Sequence, residues 1–165
     1  MADIRLKAYG AAGAVFLLDR LTKWIVETRV SFLDTRPVIP GFFDIVHTEN
    51  RGAAFSLFNQ STSEWRTWLL VAFSVAAVVL VGGFIFQRAE KTDRLSLAGF
   101  ALILCGAAGN AFDRIVWGRV TDFLDFYVGG YHWPAFNVAD AALVIGCGLL
   151  LLAAMHPRRQ TANVP

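Results

Sequence analysis

Charge is what this sequence has least of. Only 17% of its 165 residues are Asp, Glu, Lys or Arg, while 56% are hydrophobic. An average soluble domain carries about 25% charged residues. One domain is expected at this length, and a soluble one is too small to bury so many apolar side chains. A disordered chain and an ordinary soluble enzyme are therefore excluded. Fifteen basic against thirteen acidic residues leave a net charge of +2, too weak a field to point to nucleic acid. Cysteine is equally sparse. Cys105 and Cys147 both lie inside apolar runs, which excludes a disulfide scaffold and reads as two small buried hydrophobes. Val144-Ile145-Gly146-Cys147 resembles a lipid-attachment box, but it lies far from the N-terminus, where such a signal must sit. The three histidines, His47, His132 and His156, have no motif linking them to a serine. There is no HExxH, no His/Cys set at metal-ligand spacing and no Walker lysine. Repeats, low-complexity segments and linkers are also lacking, so residues 1–165 read as a single domain. What remains is the composition of a membrane protein.

A span needs about 20 predominantly apolar residues. Trp68–Phe86 is nineteen residues without a charge. Ala8–Val26 is interrupted by Asp19, Arg20 and Lys23. Leu95–Phe112 is rich in Gly and Ala with Asn110 near its end, and Val138–Met155 carries Asp140 in its first turn. The sequence predicts four transmembrane helices. Arg5 and Lys7 ahead of the first apolar run imitate a signal peptide. That run meets Asp19-Arg20, however, and three further spans follow, so the first helix is expected to be retained.

Orientation follows from the basic residues. With four spans, positions 1–7, 87–94 and 156–165 share a side and hold seven Lys or Arg in 25 positions. The opposite side, 27–67 and 113–137, holds six in 66. The denser side, by about threefold, is the cytoplasmic one. Both termini are expected there. The outer face receives two long loops. The first contains Phe42–His47, a short strand; the second contains Val120–Val128 and Tyr131–Phe136 around Gly129-Gly130, a hairpin. A small sheet on the outer membrane surface would satisfy these backbones.

Ionisable groups within spans are costly and usually functional. Helix one runs outward, so Asp19 lies about 20 Å along a core of about 30 Å, with Lys23 beyond it. Helix three ends outward with Asn110, Asp113 and Arg114. Helix four begins there with Asn137 and Asp140. Asp122 lies between them, and Asn50 in the first outer loop. Separate stretches thus deliver their polar residues to one level, the outer membrane boundary. Asn110 and Asp113, three apart, share a helix face with Arg114. Asp113 beside Arg114 reads as a structural ion pair, and so do Asp19 and Lys23. Gly106 and Gly109, with the alanines between them, read as a close-packing patch. Asp122 and Asp140 have no basic neighbour at helical spacing and are the acids freest to do chemistry.

Two carboxylates in a partly dry site share one proton, and their affinities for it split. The ionised partner takes a proton from water while the other protonates the carbonyl oxygen under attack. The helix N-terminus at Asp140 favours its ionised form, giving Asp140 the base role and Asp122 the acid role; the reverse assignment stays open. Two other readings stand beside a peptidase. A proton-coupled carrier would spread its acids across the bilayer, and the cytoplasmic halves of these spans hold none. A four-span scaffold would tolerate substitution of both aspartates.

Five blocks resemble the lipoprotein signal peptidase (signal peptidase II) family of bacterial intramembrane aspartic peptidases. Asp19-Arg20-Leu21-Thr22-Lys23 is similar to its D-x-x-[ST]-K block, and Asn50-Arg51-Gly52-Ala53-Ala54-Phe55-Ser56 to its N-x-G-A-A-F-S loop. Gly106–Arg114 resembles G-G-A-x-G-N-x-x-D-R, with Cys105 in place of the first glycine. Val120–Phe126 resembles V-x-D-F-x-x-F, and Trp133–Asp140 resembles W-P-x-F-N-x-A-D, followed by Leu143 where isoleucine is common. The resemblance implies removal of the signal peptide from prolipoproteins, before a diacylglyceryl-modified cysteine, by Asp122 and Asp140. It implies substrate-binding or site-shaping roles for Asp19, Lys23, Asn50, Gly52, Asn110, Asp113, Arg114 and Asn137. It further implies an all-α membrane fold with a small outer sheet, and a surface-lying helix in the first outer loop, to which Gly52–Phe58 onward would correspond. No cofactor or metal is implied. The partners implied are prolipoproteins, membrane lipid and cyclic peptide inhibitors such as globomycin, acting on a monomer in the bacterial inner membrane.

Overall fold

The structure, a computed structural model, describes residues 3–51 and 65–155. Asp3 opens α1 (Ile4–Arg29) by accepting the Arg5 amide at 2.9 Å. α2 (Trp65–Arg88) leads through a short 3-10 turn, Ala89–Lys91, into α3 (Arg94–Trp117). Asp93 caps α3 by accepting the Ser96 amide at 2.9 Å. Gly118 ends α3 in left-handed backbone, φ 69°, with its N–H on the Arg114 carbonyl; glycine adopts that C-terminal geometry without a Cβ penalty. α4 covers Val138–Met155, the bounds expected.

Three helical stretches are long and apolar enough to cross a membrane: Trp65–Lys91, Arg94–Trp117 and Val138–Met155, with mean hydropathies of 2.7, 1.7 and 2.3. α1 has 26 residues, about 39 Å at 1.5 Å each. Its Asp19, Arg20 and Lys23 keep it from being apolar enough, so of the four expected spans composition marks three among the described residues.

α3 is the central helix, packed against α1, α2 and α4. Its small residues let α4 approach closely. A methyl group on Gly99 would stand 2.9 Å from the Gly146 carbonyl oxygen, and one on Gly106 would collide with the Ala139 carbonyl. The expected packing role of the Gly106–Gly109 patch is met. α2 fully buries only Val71 and Ile85, and Trp68, Phe73, Val79, Leu80 and Phe86 are exposed, as on a lipid-facing helix. Cys105 is buried as expected, but Cys147 is exposed. It follows Gly146, the residue that faces α3, and one step of a 3.6-residue helix turns its side chain outward.

Four antiparallel strands form the sheet in the order β1 (Thr35–Ile39), β2 (Phe43–Asn50), β3 (Val120–Val128), β4 (Tyr131–His132). The expected hairpin joins β3 to β4, with Tyr127 opposite His132 and positive φ at Gly129 and Gly130. β1 was not expected as a strand; Pro37 is tolerated because β1 lies at the sheet edge. Between Ile45 and Thr48 the β2–β3 register slips. Val46 and His47 face the single residue Phe123, a bulge immediately beside Asp122. The surface helix expected from Gly52–Phe58 onward lies outside the described residues.

Candidate active site

Asp122 sits on β3 and is 4% exposed. Its Oδ1 accepts from Asn137 Nδ2 at 2.7 Å and its Oδ2 from Asn50 Nδ2 at 3.2 Å. The Thr48 hydroxyl donates to its backbone carbonyl at 3.1 Å, tying β2 to β3 just past the bulge. Bulges re-aim side chains next to functional sites. Burial, reinforced by the negative charge of Asp140, pushes the Asp122 carboxyl up from 3.8 to about 6. The Asn137 and Asn50 hydrogen bonds and the Lys23 charge oppose that rise.

Asp140 lies in the first turn of α4. Its Oδ1 accepts from Asn110 Nδ2 of α3 at 2.7 Å. Its own N–H donates to Asn137 Oδ1 at 3.0 Å, and the Asn137 N–H donates back to Asp140 Oδ2 at 3.3 Å. This is a reciprocal helix cap of the Ser-x-x-Glu kind, built from Asn and Asp. The fully buried Asn137 therefore touches both acids, and its Nδ2 also reaches Asn110 Oδ1 at 3.5 Å. Two amide side chains link the two carboxylates into one network.

Behind it lies a buried ion cluster. Lys23 Nζ donates to Asp19 Oδ2 at 2.8 Å and to Asp113 Oδ2 at 2.6 Å, and Arg20 pairs with Asp113 Oδ1. Asp19 Oδ1 accepts the Ala139 amide at 2.9 Å, which fixes the start of α4. A methyl group on Gly109 would come within 2.9 Å of Asp19 Oδ2, so only glycine leaves the cluster room. The i,i+4 pair of Asp19 and Lys23 is present as expected. The expected pair of Asp113 with Arg114 is not. Asp113 turns to α1, where two cations converge, and Arg114 donates to the Asn110 carbonyl at 3.3 Å. Adjacent residues on a helix point about 100° apart, so a sequence neighbour is a poor partner.

Asp19, Lys23, Asn50, Asn110, Asp113, Arg114, Asp122, Asn137 and Asp140 are thus gathered at one level; Gly52 lies outside the described residues. Sequence reasoning passed over Arg20, Thr48 and Gly109 as site residues. Arg20 left a signal as a charge inside an apolar run and Gly109 as part of the small-residue patch; Thr48 left none. Among the described residues no group of three His, Cys, Asp or Glu is arranged to hold a metal ion.

Residues 11–156 match the family described as signal peptidase (SPase) II. The chain is 58% identical over 164 residues to a lipoprotein signal peptidase of Solibacter usitatus, covering 99% of each chain. It is 48% identical over 144 residues to one from Nitratidesulfovibrio vulgaris, covering 87% of this chain and 86% of that one. Its fold is similar to a solved bacterial membrane enzyme, with a TM-score of 0.81, 28% identity and coverage of 96% and 93%.

Proposed function

The chain belongs to the signal peptidase II family, and from that premise we propose that it cleaves prolipoproteins as an aspartic endopeptidase at Asp122 and Asp140. Family membership makes it a multi-pass membrane protease that removes signal peptides from prolipoproteins. The observation that carries the catalytic reading is the amide bridge, Asn137 on both carboxylates and Asn110 on Asp140. It holds two acids in one buried network, where they share a single proton up to about pH 6.

Asp140, ionised at a helix N-terminus, takes a proton from a water molecule as its oxygen attacks the carbonyl carbon of the residue before the lipidated cysteine. Asp122, whose carboxyl holds its proton up to about pH 6, donates it to the carbonyl oxygen. The tetrahedral intermediate collapses as that hydroxyl returns its proton to Asp122. The C–N bond breaks, and the amine of the cysteine leaves with the proton held by Asp140. The charge balance closes without any other reactant. Asp19, Lys23, Asn50, Asn110, Asp113, Arg114 and Asn137 shape the site or contact substrate. Gly52 joins them by its motif.

In this reading α1 is the fourth span. Its charges face a neutral cluster, two carboxylates against two cations, instead of lipid. The protein works as one domain and as a monomer in the inner membrane, termini in the cytoplasm and acids at the outer leaflet. Signal peptides present their C-terminal ends at that level, and the substrate's acyl chains stay in lipid. A cyclic peptide such as globomycin would compete for the same cleft.

The test is incubation of the purified protein with a diacylglyceryl-modified precursor and mass spectrometry of the new N-terminus. Wild-type protein is expected to expose the lipidated cysteine. Asp122→Asn and Asp140→Asn are each expected to lose more than about a thousandfold in rate while still inserting in the membrane. Normal cleavage by either would sink the proposal.

A further inference from the structure

Arg20 occupies an unspecified position of the D-x-x-[ST]-K block, yet it is the outermost link of a continuous chain of contacts. Its guanidinium lies 4.6 Å from the Trp117 ring centre and 5.2 Å from that of Phe112, and it pairs with Asp113. The two rings meet edge to face at 5.4 Å, and Phe16 of α1 meets Phe112 at 5.9 Å. A planar, weakly hydrated guanidinium suits this aromatic seat better than an ammonium does. From Asp113 the chain runs inward without a branch. Asp113 Oδ2 takes Lys23, Lys23 also holds Asp19 Oδ2, and Asp19 Oδ1 takes the Ala139 amide. The next residue is Asp140. Each carboxylate divides its oxygens between two donors, and the four charges sum to zero.

Resting on the aspartic peptidase reading above, we propose that Arg20 is a positioning residue for Asp140, acting through Asp113, Lys23 and Asp19 on the first turn of α4. Remove the guanidinium and Asp113 depends on Lys23 alone. Lys23 then serves two buried carboxylates with one charge, and its hold on Asp19 slackens. An uncompensated negative charge also remains in the ion cluster, whose Lys23 acts on Asp122. The groups facing Asp122 are Asp140 from α4, Arg114 from α3 and Lys23 from α1, with the amides of Asn50 and Asn137. Lys23 is common to that set and to the chain from Arg20.

The test uses the full chain in liposomes with a lipidated precursor, measuring kcat, KM and pH profile. Arg20→Met is expected to lower kcat roughly tenfold, the scale of a small misplacement of reacting groups. KM should stay within about twofold of wild type, since Arg20 contacts Asp113, Phe112 and Trp117 and neither acid of the pair. Both limbs of the pH profile should move to higher pH. Arg20→Met with Asp113→Asn restores neutrality, so its limbs should return to the wild-type position while kcat stays low. Arg20→Lys should keep the limbs and lose less rate. Wild-type kcat in Arg20→Met, a loss confined to KM, or limbs that do not move would each overturn the inference and leave Arg20 as a clamp between α1 and α3. If Arg20→Met does not accumulate in membranes, Arg20→Lys decides. Lower kcat at unchanged KM and unmoved limbs supports the inference; wild-type kcat or a loss in KM overturns it. Should Asp122→Asn or Asp140→Asn still cleave, it is the peptidase reading that fails.

Discussion

Asp122 carries an elevated carboxyl because it is buried beside a second acid, and that has a direct kinetic consequence. The proton it holds at about pH 6 is the one the acid pair shares. Raising the pH above that value strips it, so kcat/KM should fall about tenfold per pH unit on the alkaline side. At low enough pH the base of the pair is protonated as well, and the rate should fall again. The folding linkage has the same sign. A carboxyl raised above its ordinary 3.8 favours the folded state most below that value, and the contribution is lost as the pH climbs to about 6. A kcat/KM profile flat through pH 8 would contradict the assignment. The Asn137 and Asn50 amides donate to the Asp122 carboxylate and favour its ionised form, but burial outweighs them. Burial, and then the charge of the second acid, is what raises Asp122.

Among the elements, the α3–α4 contact decides where Asp140 stands. Gly106 is its tightest point, since a methyl group there meets the Ala139 carbonyl and the Leu143 side chain. Gly106→Ala should push α4 away from α3, lowering activity at least about tenfold and reducing thermal stability. Gly148, on the same pair of helices, has open space around it. Gly148→Ala should leave activity unchanged and stabilise α4 by up to about 1 kcal/mol through helix propensity. Equal effects of the two would refute the packing argument. The elements were also the scale at which sequence patterns were most legible. Apolar length marked α2, α3 and α4 and, across its three charges, α1, while Gly129-Gly130 marked the hairpin. β1 escaped because Pro37 and Pro40 look like loop, and because an edge strand needs few ladder bonds. The bulge at Val46–His47 escaped because register belongs to a pair of strands, not to either one.

Across the whole molecule, charge is sorted by depth. Basic residues crowd the face that holds the α2–α3 connection, while the acids and amides of the site lie at the other end of the helices. In a Cys105→Ser, Cys147→Ser background, Arg36→Cys on β1 should react with a membrane-impermeant maleimide added to intact spheroplasts. Lys91→Cys, in the turn between α2 and α3, should react only after the membrane is opened. The opposite pattern would reverse the orientation and put the acid pair on the cytoplasmic side. On the proposed four-span reading, the ion cluster lets α1 carry Asp19, Arg20 and Lys23 at membrane depth. Each charge has an opposite partner, and Asp19 and Lys23 are 1% and 0% exposed. A hydropathy average sees their cost but not their pairing.

The sequence by itself determined the membrane character, the four helices, the hairpin and the level at which the polar residues gather. These depend on local composition, periodicity and the number of residues between a charge and a helix end. Only the tertiary structure decided who pairs with whom. Asp113 chooses Lys23 and Arg20 over its neighbour Arg114, and Asn137 spans from Asp122 to Asp140. Ala139, one residue from Asp140, is held by Asp19 from a helix 120 residues away. Pairing in a buried site depends on distance and direction between chain segments far apart, and no linear spacing encodes either.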